Sequence, residues 1–243
     1  LLSLKRVAIH KPTYGDHAEA WRQAGCEVIE TAAPLDEVGH VDGIIVCNPN
    51  NPDGSRFDRG DLLAILSKLE ARGGYLIVDE AYADLSPELS LAPETGRAGL
   101  IVFRSVGKFY GLAGVRLGAL LAPKDLRDRL SKWLGVWPVS GAALEIGRRA
   151  YRDLAWQSET RAKLRRANET LTKMLQMHRL DVCGGTDLFR YIRVPNAYGV
   201  WEHLAQKGIY TRKFTDAPDH LRIGLPKDET ELDRLSAALS PLV

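Results

Sequence analysis

Lys108 is the residue from which the chemistry of this sequence reads outward. It stands in Ser105-Val106-Gly107-Lys108, just after the apolar run Leu100 to Phe103, and Gly111-Leu112-Ala113-Gly114-Val115-Arg116 follows it. An amine at the end of a buried strand can condense with an aldehyde and afterwards carry a proton. Asp79 ends a second apolar run, Leu76-Ile77-Val78. An acid there is costly to bury unless a cation or a protonated ring nitrogen meets it. Its neighbour Glu80 would project from the opposite face of the strand. Asn51 lies in the proline-framed turn Asn48-Pro49-Asn50-Asn51-Pro52-Asp53-Gly54, and Tyr82 comes three residues after Asp79. Both side chains can donate to a phenolic oxygen. Ser105 and Arg116, a hydroxyl and a guanidinium among glycines, suit a phosphate dianion. Tyr14, in Pro12-Thr13-Tyr14, can stack on an aromatic ring.

Each of these residues also has an ordinary structural reading. Lys108 reads equally as a surface lysine, Asp79 as a cap or ion pair, Asn51 as turn chemistry, and Tyr82 and Tyr14 as packing. Their joint order is more specific than any one of them, and a set of this kind can hold pyridoxal phosphate.

The elements that must position these groups are legible in outline. Val7 to Ile9, Gly43 to Cys47, Tyr75 to Val78 and Leu100 to Phe103 are continuous apolar runs, the pattern of parallel strands buried on both faces. Helical patterns separate them at Asp16 to Ala24 and Asp58 to Ala71, the second with Asp58 as N-cap and Gly73-Gly74 as its stop. Strands alternating with helices predict an α/β fold with a mostly parallel sheet. Leu117 to Leu121 reads as a further strand. Asp125 to Leu134 and Gly141 to Leu175 read as helical, the longer stretch being two helices or one that bridges two domains. Beyond Asp187 a small α+β unit is expected. Its strands are Leu188 to Val194, Ile209 to Phe214 and Leu221 to Gly224, and its helices are Tyr198 to Gln206 and Thr230 to Leu239. The expected division is a large domain over residues 1–155 and a small C-terminal domain over residues 156–243.

Composition excludes several classes. A net charge of +2 on 243 residues gives no nucleic-acid signal, and Arg161 to Arg166 reads as a solvated helix face. No apolar run reaches membrane-spanning length and no signal peptide is visible. Cys26, Cys47 and Cys183 are odd in number and lack a metal-ligand spacing, which predicts reduced thiols of a cytoplasmic protein and no metal.

Taken together, the order Asn51, Asp79, Tyr82, Lys108, Arg116 resembles the fold-type I pyridoxal-phosphate enzymes, the class I/II aminotransferase superfamily. The resemblance runs from about Val7 to the last helix. It implies the aspartate aminotransferase-like fold of pyridoxal-phosphate-dependent transferases and a homodimer. By it, Lys108 is the Schiff-base lysine and Asp79 the partner of the pyridine nitrogen. Asn51 and Tyr82 become the phenolate contacts, Ser105 and Arg116 the phosphate holders, and Tyr14 the ring-stacking residue. Arg222, in His220-Leu221-Arg222-Ile223-Gly224, matches the arginine that holds a substrate α-carboxylate.

A narrower likeness is to the threonine-phosphate decarboxylases of cobalamin biosynthesis. It is carried by Phe103 to Gly114, Trp137-Pro138-Val139-Ser140-Gly141, Ala155-Trp156-Gln157, Gly184 to Arg190, and Asp53 where many aminotransferases have threonine. That likeness implies decarboxylation of L-threonine O-3-phosphate to (R)-1-amino-2-propanol O-2-phosphate, with Arg212 as candidate for the substrate phosphate. Arg212 reads equally as a solvated strand residue. The alternative is an aminotransferase such as histidinol-phosphate aminotransferase, which shares the Gly-Leu-Ala-Gly run but places its serine directly beside the lysine. The superfamily's Gly/Ser/Thr-rich phosphate loop has no counterpart before Tyr14. The sequence therefore reads as N-terminally truncated, with an inactive fragment as a further alternative.

Overall fold

The computed structural model describes residues 2–242. The chain divides into two compact units, the first up to Asn51 and from Ser55 to Asp153, the second Pro52–Gly54 and the chain from Leu154 onward.

The first unit carries β1 (Arg6–His10), α1 (Gly15–Gln23), β2 (Glu27–Thr31), β3 (Gly43–Cys47), α2 (Arg59–Glu70), β4 (Tyr75–Asp79), β5 (Leu100–Ser105), β6 (Gly118–Leu121), α3 (Lys124–Leu134) and α4 (Gly141–Arg152). Its sheet runs in the order β2-β1-β3-β4-β5-β6. Every pairing is parallel except β5 with β6. The apolar runs become strands because each is covered on both faces. The pleat sends Ile44, Val46, Leu76, Val78, Leu100 and Val102 to one core, where Leu62, Leu66 and Leu69 of α2 meet them. Ile45, Ile77 and Ile101 go to the opposite core with Ala18 of α1 and Leu126 of α3. Burying a leucine such as Leu66 contributes about 1.5–3 kcal/mol. Asp58 caps α2, its carboxylate accepting from the Gly60 amide at 2.7 Å.

The same alternation places the acids. Asp79, two residues beyond Ile77, turns to the α1 face, and Glu80 turns to the other side and is buried. The expected distinction between the two acids therefore holds. Glu80 accepts from the Ser90 hydroxyl at 2.5 Å, the Leu91 amide at 2.6 Å and the Arg104 guanidinium at 2.9 Å, which makes it a structural acid.

The second unit holds α5 (Leu154–Met177), β7 (Asp181–Thr186), β8 (Phe189–Arg193), α6 (Ala197–Gln206), β9 (Arg212–Lys213), β10 (His220–Gly224) and α7 (Glu229–Leu239). Its antiparallel sheet has the order β7-β8-β10-β9. One face packs on Leu171, Leu175, Leu204, Leu235 and Leu239 of its helices.

The stretch from Gly141 to Leu175 is two helices, the first of the two expected arrangements, broken at Asp153. The structure differs from the sequence reading at three other elements. β2 and β7 were not expected. β2 is an edge strand whose Glu27 and Glu30 are salt-bridged rather than buried, and β7 contains Gly184-Gly185, so neither shows a clean apolar pattern. The glycines are needed for close approach: a Cβ on Gly184 would stand 2.1 Å from the Asp53 carbonyl oxygen. Finally, only Arg212 and Lys213 pair within the expected strand Ile209 to Phe214. No helix among the described residues is long and apolar enough to cross a membrane.

Candidate active site

A cavity of about 190 Å³ opens beyond the C-terminal ends of the parallel strands of the first unit. Tyr14, Cys47, Asn51, Asp79, Ala81, Tyr82 and Lys108 line it. Tyr14 follows β1, Cys47 ends β3, Asn51 lies in the turn after β3, Asp79 ends β4 and Lys108 follows β5. Carboxyl ends of strands are where open α/β sheets bind ligands, since the connecting loops converge there. A second cavity of about 300 Å³ also reaches Lys108 and is lined by Ser105, Gly107, Ala113 and Arg116 among others. Seven of the nine residues expected from sequence thus line two cavities that share Lys108.

Asp79 is held from more than one side. Its Oδ1 accepts from the Ala81 amide at 2.9 Å, and its Oδ2 lies 2.9 Å from His17 Nε2. Cys47 Sγ is 3.9 Å from the same Oδ2. Burial pulls the His17 pKa down, but hydrogen bonds and charge attraction from Asp79 and Cys47 outweigh it and raise the value to about 10. At neutral pH a charged imidazolium therefore stands behind the Asp79 carboxylate. His17 is the site residue that sequence reasoning missed. The available signal was its spacing: three residues after Tyr14 at the start of a helix, the two side chains share a face. In the structure their rings meet edge-on at 5.8 Å.

The Lys108 loop is built around tight backbone. Gly107 donates its N–H to Ser105 Oγ at 3.0 Å, and a Cβ there would come within 3.4 Å of the Ala113 backbone. Arg116 takes a left-handed φ of 55°, strained for a residue with a side chain, and donates from Nη1 to the Ala113 carbonyl at 3.1 Å. Lys108 Nζ sits 5.7 Å from the centre of the Tyr82 ring.

A buried ionic network joins the segments that carry these residues. Arg104 bonds to Glu80 and to Asp84, which flank Tyr82 in sequence, and Tyr110 donates to Asp84 at 3.2 Å. Arg104 and Tyr110 in turn flank Lys108. Loss of solvent opposes charge on Arg104, yet Asp84 and Glu80 raise its pKa above the ordinary arginine value. Burial and the Asp84 charge push the Tyr110 hydroxyl well above the usual phenol range.

Arg212 and Arg222 belong to the second unit. They are directly opposed on the neighbouring strands β9 and β10 and so project from one face. Arg222 lies over the Phe189 ring at 4.9 Å and Arg212 over Phe214 at 5.9 Å. Directly opposed like charges cost roughly 0.2–1 kcal/mol unless an anion relieves them. Two guanidiniums side by side on aromatic rings therefore make a surface suited to anionic groups.

The fold is that of the pyridoxal-phosphate enzymes. The family profile described as Aminotransferase class I and II matches residues 3–239, and the chain belongs to this family. Within it, the chain is 43% identical to threonine-phosphate decarboxylase of Pseudomonas aeruginosa over 96% of its own length and 71% of that protein. It is 31% identical to histidinol-phosphate aminotransferase 2 of Archaeoglobus fulgidus over 70% of its length and 48% of that protein. The backbone resembles the crystal structure of histidinol-phosphate aminotransferase from Clostridium acetobutylicum with a TM-score of 0.87. That match is at 18% identity and covers 98% of this chain and 78% of the other. The architecture is thus common to decarboxylases and aminotransferases, and sequence identity is greater toward the decarboxylase.

Proposed function

We propose that this protein is a pyridoxal-phosphate-dependent decarboxylase of L-threonine O-3-phosphate. Its product is (R)-1-amino-2-propanol O-2-phosphate, a building block of cobalamin. The 43% identity to a threonine-phosphate decarboxylase, sustained over 96% of the chain, carries this reading. The residues present fit the cofactor in donor chemistry: an amine, a supported carboxylate and two phenolate donors line one cavity, with a hydroxyl and a guanidinium in the next.

When bound, the cofactor supplies an electron sink for the pair left at Cα as carbon dioxide departs. The protein's own groups do the rest. Lys108 would hold the cofactor through its aldehyde and would carry the proton returned to the substrate Cα. Asp79 would pair with the pyridine nitrogen, and His17, 2.9 Å from its Oδ2, would hold the carboxyl group in place for that task. Asn51 and Tyr82 donate to the phenolic oxygen, Tyr14 stacks on the ring, and Ser105 and Arg116 hold the cofactor phosphate. Arg222 orients the α-carboxylate and Arg212 receives the substrate phosphate. We place the enzyme in the cytoplasm, a reading supported by three cysteines that are all free thiols, and as a homodimer, which the family resemblance implies.

Product analysis by mass spectrometry tests the proposal. The chain is incubated with pyridoxal phosphate, L-threonine O-3-phosphate and an oxo-acid acceptor. Aminopropanol phosphate with released carbon dioxide is expected. A keto product with an aminated acceptor would identify an aminotransferase instead, and neither product would overturn the substrate assignment.

A further inference from the structure

His17, Cys47 and Asp79 bring one nitrogen, one sulfur and one oxygen donor together, all within 4.8 Å of one another. No spacing along the chain announces this cluster, because three elements contribute to it. Cys47 and Asp79 are direct partners in the register of the neighbouring strands β3 and β4, and both project to the face covered by α1. His17 comes from α1 itself. Cys47 is buried at 4% exposure, and the His17 and Asp79 side chains are 16% and 19% exposed.

A tetrahedral zinc ion, with Zn–N and Zn–O near 2.0 Å and Zn–S near 2.3 Å, sets its donors roughly 3.3–3.6 Å apart. The observed separations are 2.9 Å for His17 Nε2 to Asp79 Oδ2 and 3.9 Å for Cys47 Sγ to Asp79 Oδ2. Each differs from the tetrahedral edge by about 0.5 Å or less, within the reach of side-chain rotation. Cys47 and Asp79 also line the cavity, so a fourth coordination position would face open space. Thiolate, imidazole and carboxylate together form a donor set suited to zinc and poor for magnesium or calcium.

We propose that, with the cofactor absent, His17, Cys47 and Asp79 bind a zinc-class divalent ion whose fourth position opens into the cavity. The ion takes the place of the proton between His17 and Asp79 and of the Cys47 thiol proton, and both protons leave to solvent. The ion occupies Asp79 and thereby excludes a pyridine nitrogen from it. Metal and pyridoxal phosphate are then alternative occupants; this second part rests on the cofactor reading above, whereas the metal site itself does not. Zinc-class ions would act as inhibitors of cofactor loading.

The test uses the full chain, stripped of cofactor with hydroxylamine and dialysed, with Co²⁺ as spectroscopic probe and Zn²⁺ as competitor. One cobalt per chain is expected, with the visible d–d bands of a tetrahedral site and a thiolate-to-cobalt charge-transfer band that Zn²⁺ abolishes. Cys47→Ala should lose the charge-transfer band and Cys183→Ala should keep it. His17→Gln should weaken binding by more than about 100-fold, beyond the 10–100-fold typical of residues that only support a ligand. Circular dichroism confirms that each variant is folded; if Cys47→Ala is not, Cys47→Ser carries the same expectation. No binding, or an unchanged spectrum in the Cys47 variant, overturns the site. Displacement of cobalt by pyridoxal phosphate supports the exclusion, and simultaneous occupancy overturns it. Cobalt bound as expected in a chain that takes up no pyridoxal phosphate supports the metal site and counts against the cofactor reading alone.

Discussion

Replacing His17 by glutamine keeps a hydrogen-bond donor near Asp79 but removes the titrating charge. In the folded protein the His17 pKa is raised from 6.5 to about 10, a difference of 3.5. At 1.36 kcal/mol per pH unit this sets a ceiling of about 5 kcal/mol on the stability that the charged imidazole contributes. The side chain retains 16% exposure, and solvent screening there brings the expected contribution to about 1–3 kcal/mol. The sign follows from the direction of the shift. A raised pKa means that the folded state holds its proton more tightly, so the contribution is fully present below pH 6.5. It is lost as pH rises through 10. Urea denaturation of the cofactor-free chain at pH 6 and pH 9 measures it, together with NMR titration of the His17 imidazole. The native chain should lose about two-thirds of that contribution, roughly 0.7–2 kcal/mol, more than His17→Gln over that interval. Equal losses in the two proteins, or an imidazole that titrates near its ordinary value, would refute the argument that Asp79 and Cys47 outweigh burial.

Three further outcomes are expected. Lys108→Ala should lose the covalent attachment of pyridoxal phosphate that borohydride fixes, read as intact mass; retention at the native level would move the anchoring lysine elsewhere. Arg104→Met should lose about 3–5 kcal/mol in denaturant unfolding, because it removes a buried cation bonded to Asp84 and to Glu80, which is 1% exposed. Arg104→Lys should lose less, and equal losses would show that charge placement there is unimportant. Leu66→Ala, in the core between α2 and the sheet, should lose about 2–5 kcal/mol by the same assay, and a loss below 1 kcal/mol would mean that the site refills.

Local pattern made much of the first unit legible. Its four continuous apolar runs are strands because a parallel sheet covered on both faces requires apolar side chains at every position. Asp58, Gly73 and the Gly111 to Arg116 loop speak through their own backbone requirements, and residues adjacent in sequence to a strand end must lie at that end. For that reason Asp79 and Lys108 could be located from sequence. β2 and β7 could not, because edge position and glycine packing erase the alternation that marks a strand.

The groups around Asp79 belong to the other category. His17 is 62 residues from Asp79 and Cys47 is 32 residues from it. Only strand register and the seating of α1 bring the three together. The Arg104 network likewise joins Glu80, Asp84 and Tyr110 across loops whose approach no spacing predicts. Sequence by itself determined the family, the sheet and the place of Lys108 beyond a strand end, since each depends on local order along the chain. Tertiary structure alone decided which charges face one another, because desolvation and Coulomb attraction depend on distance in space and carry no memory of distance in sequence.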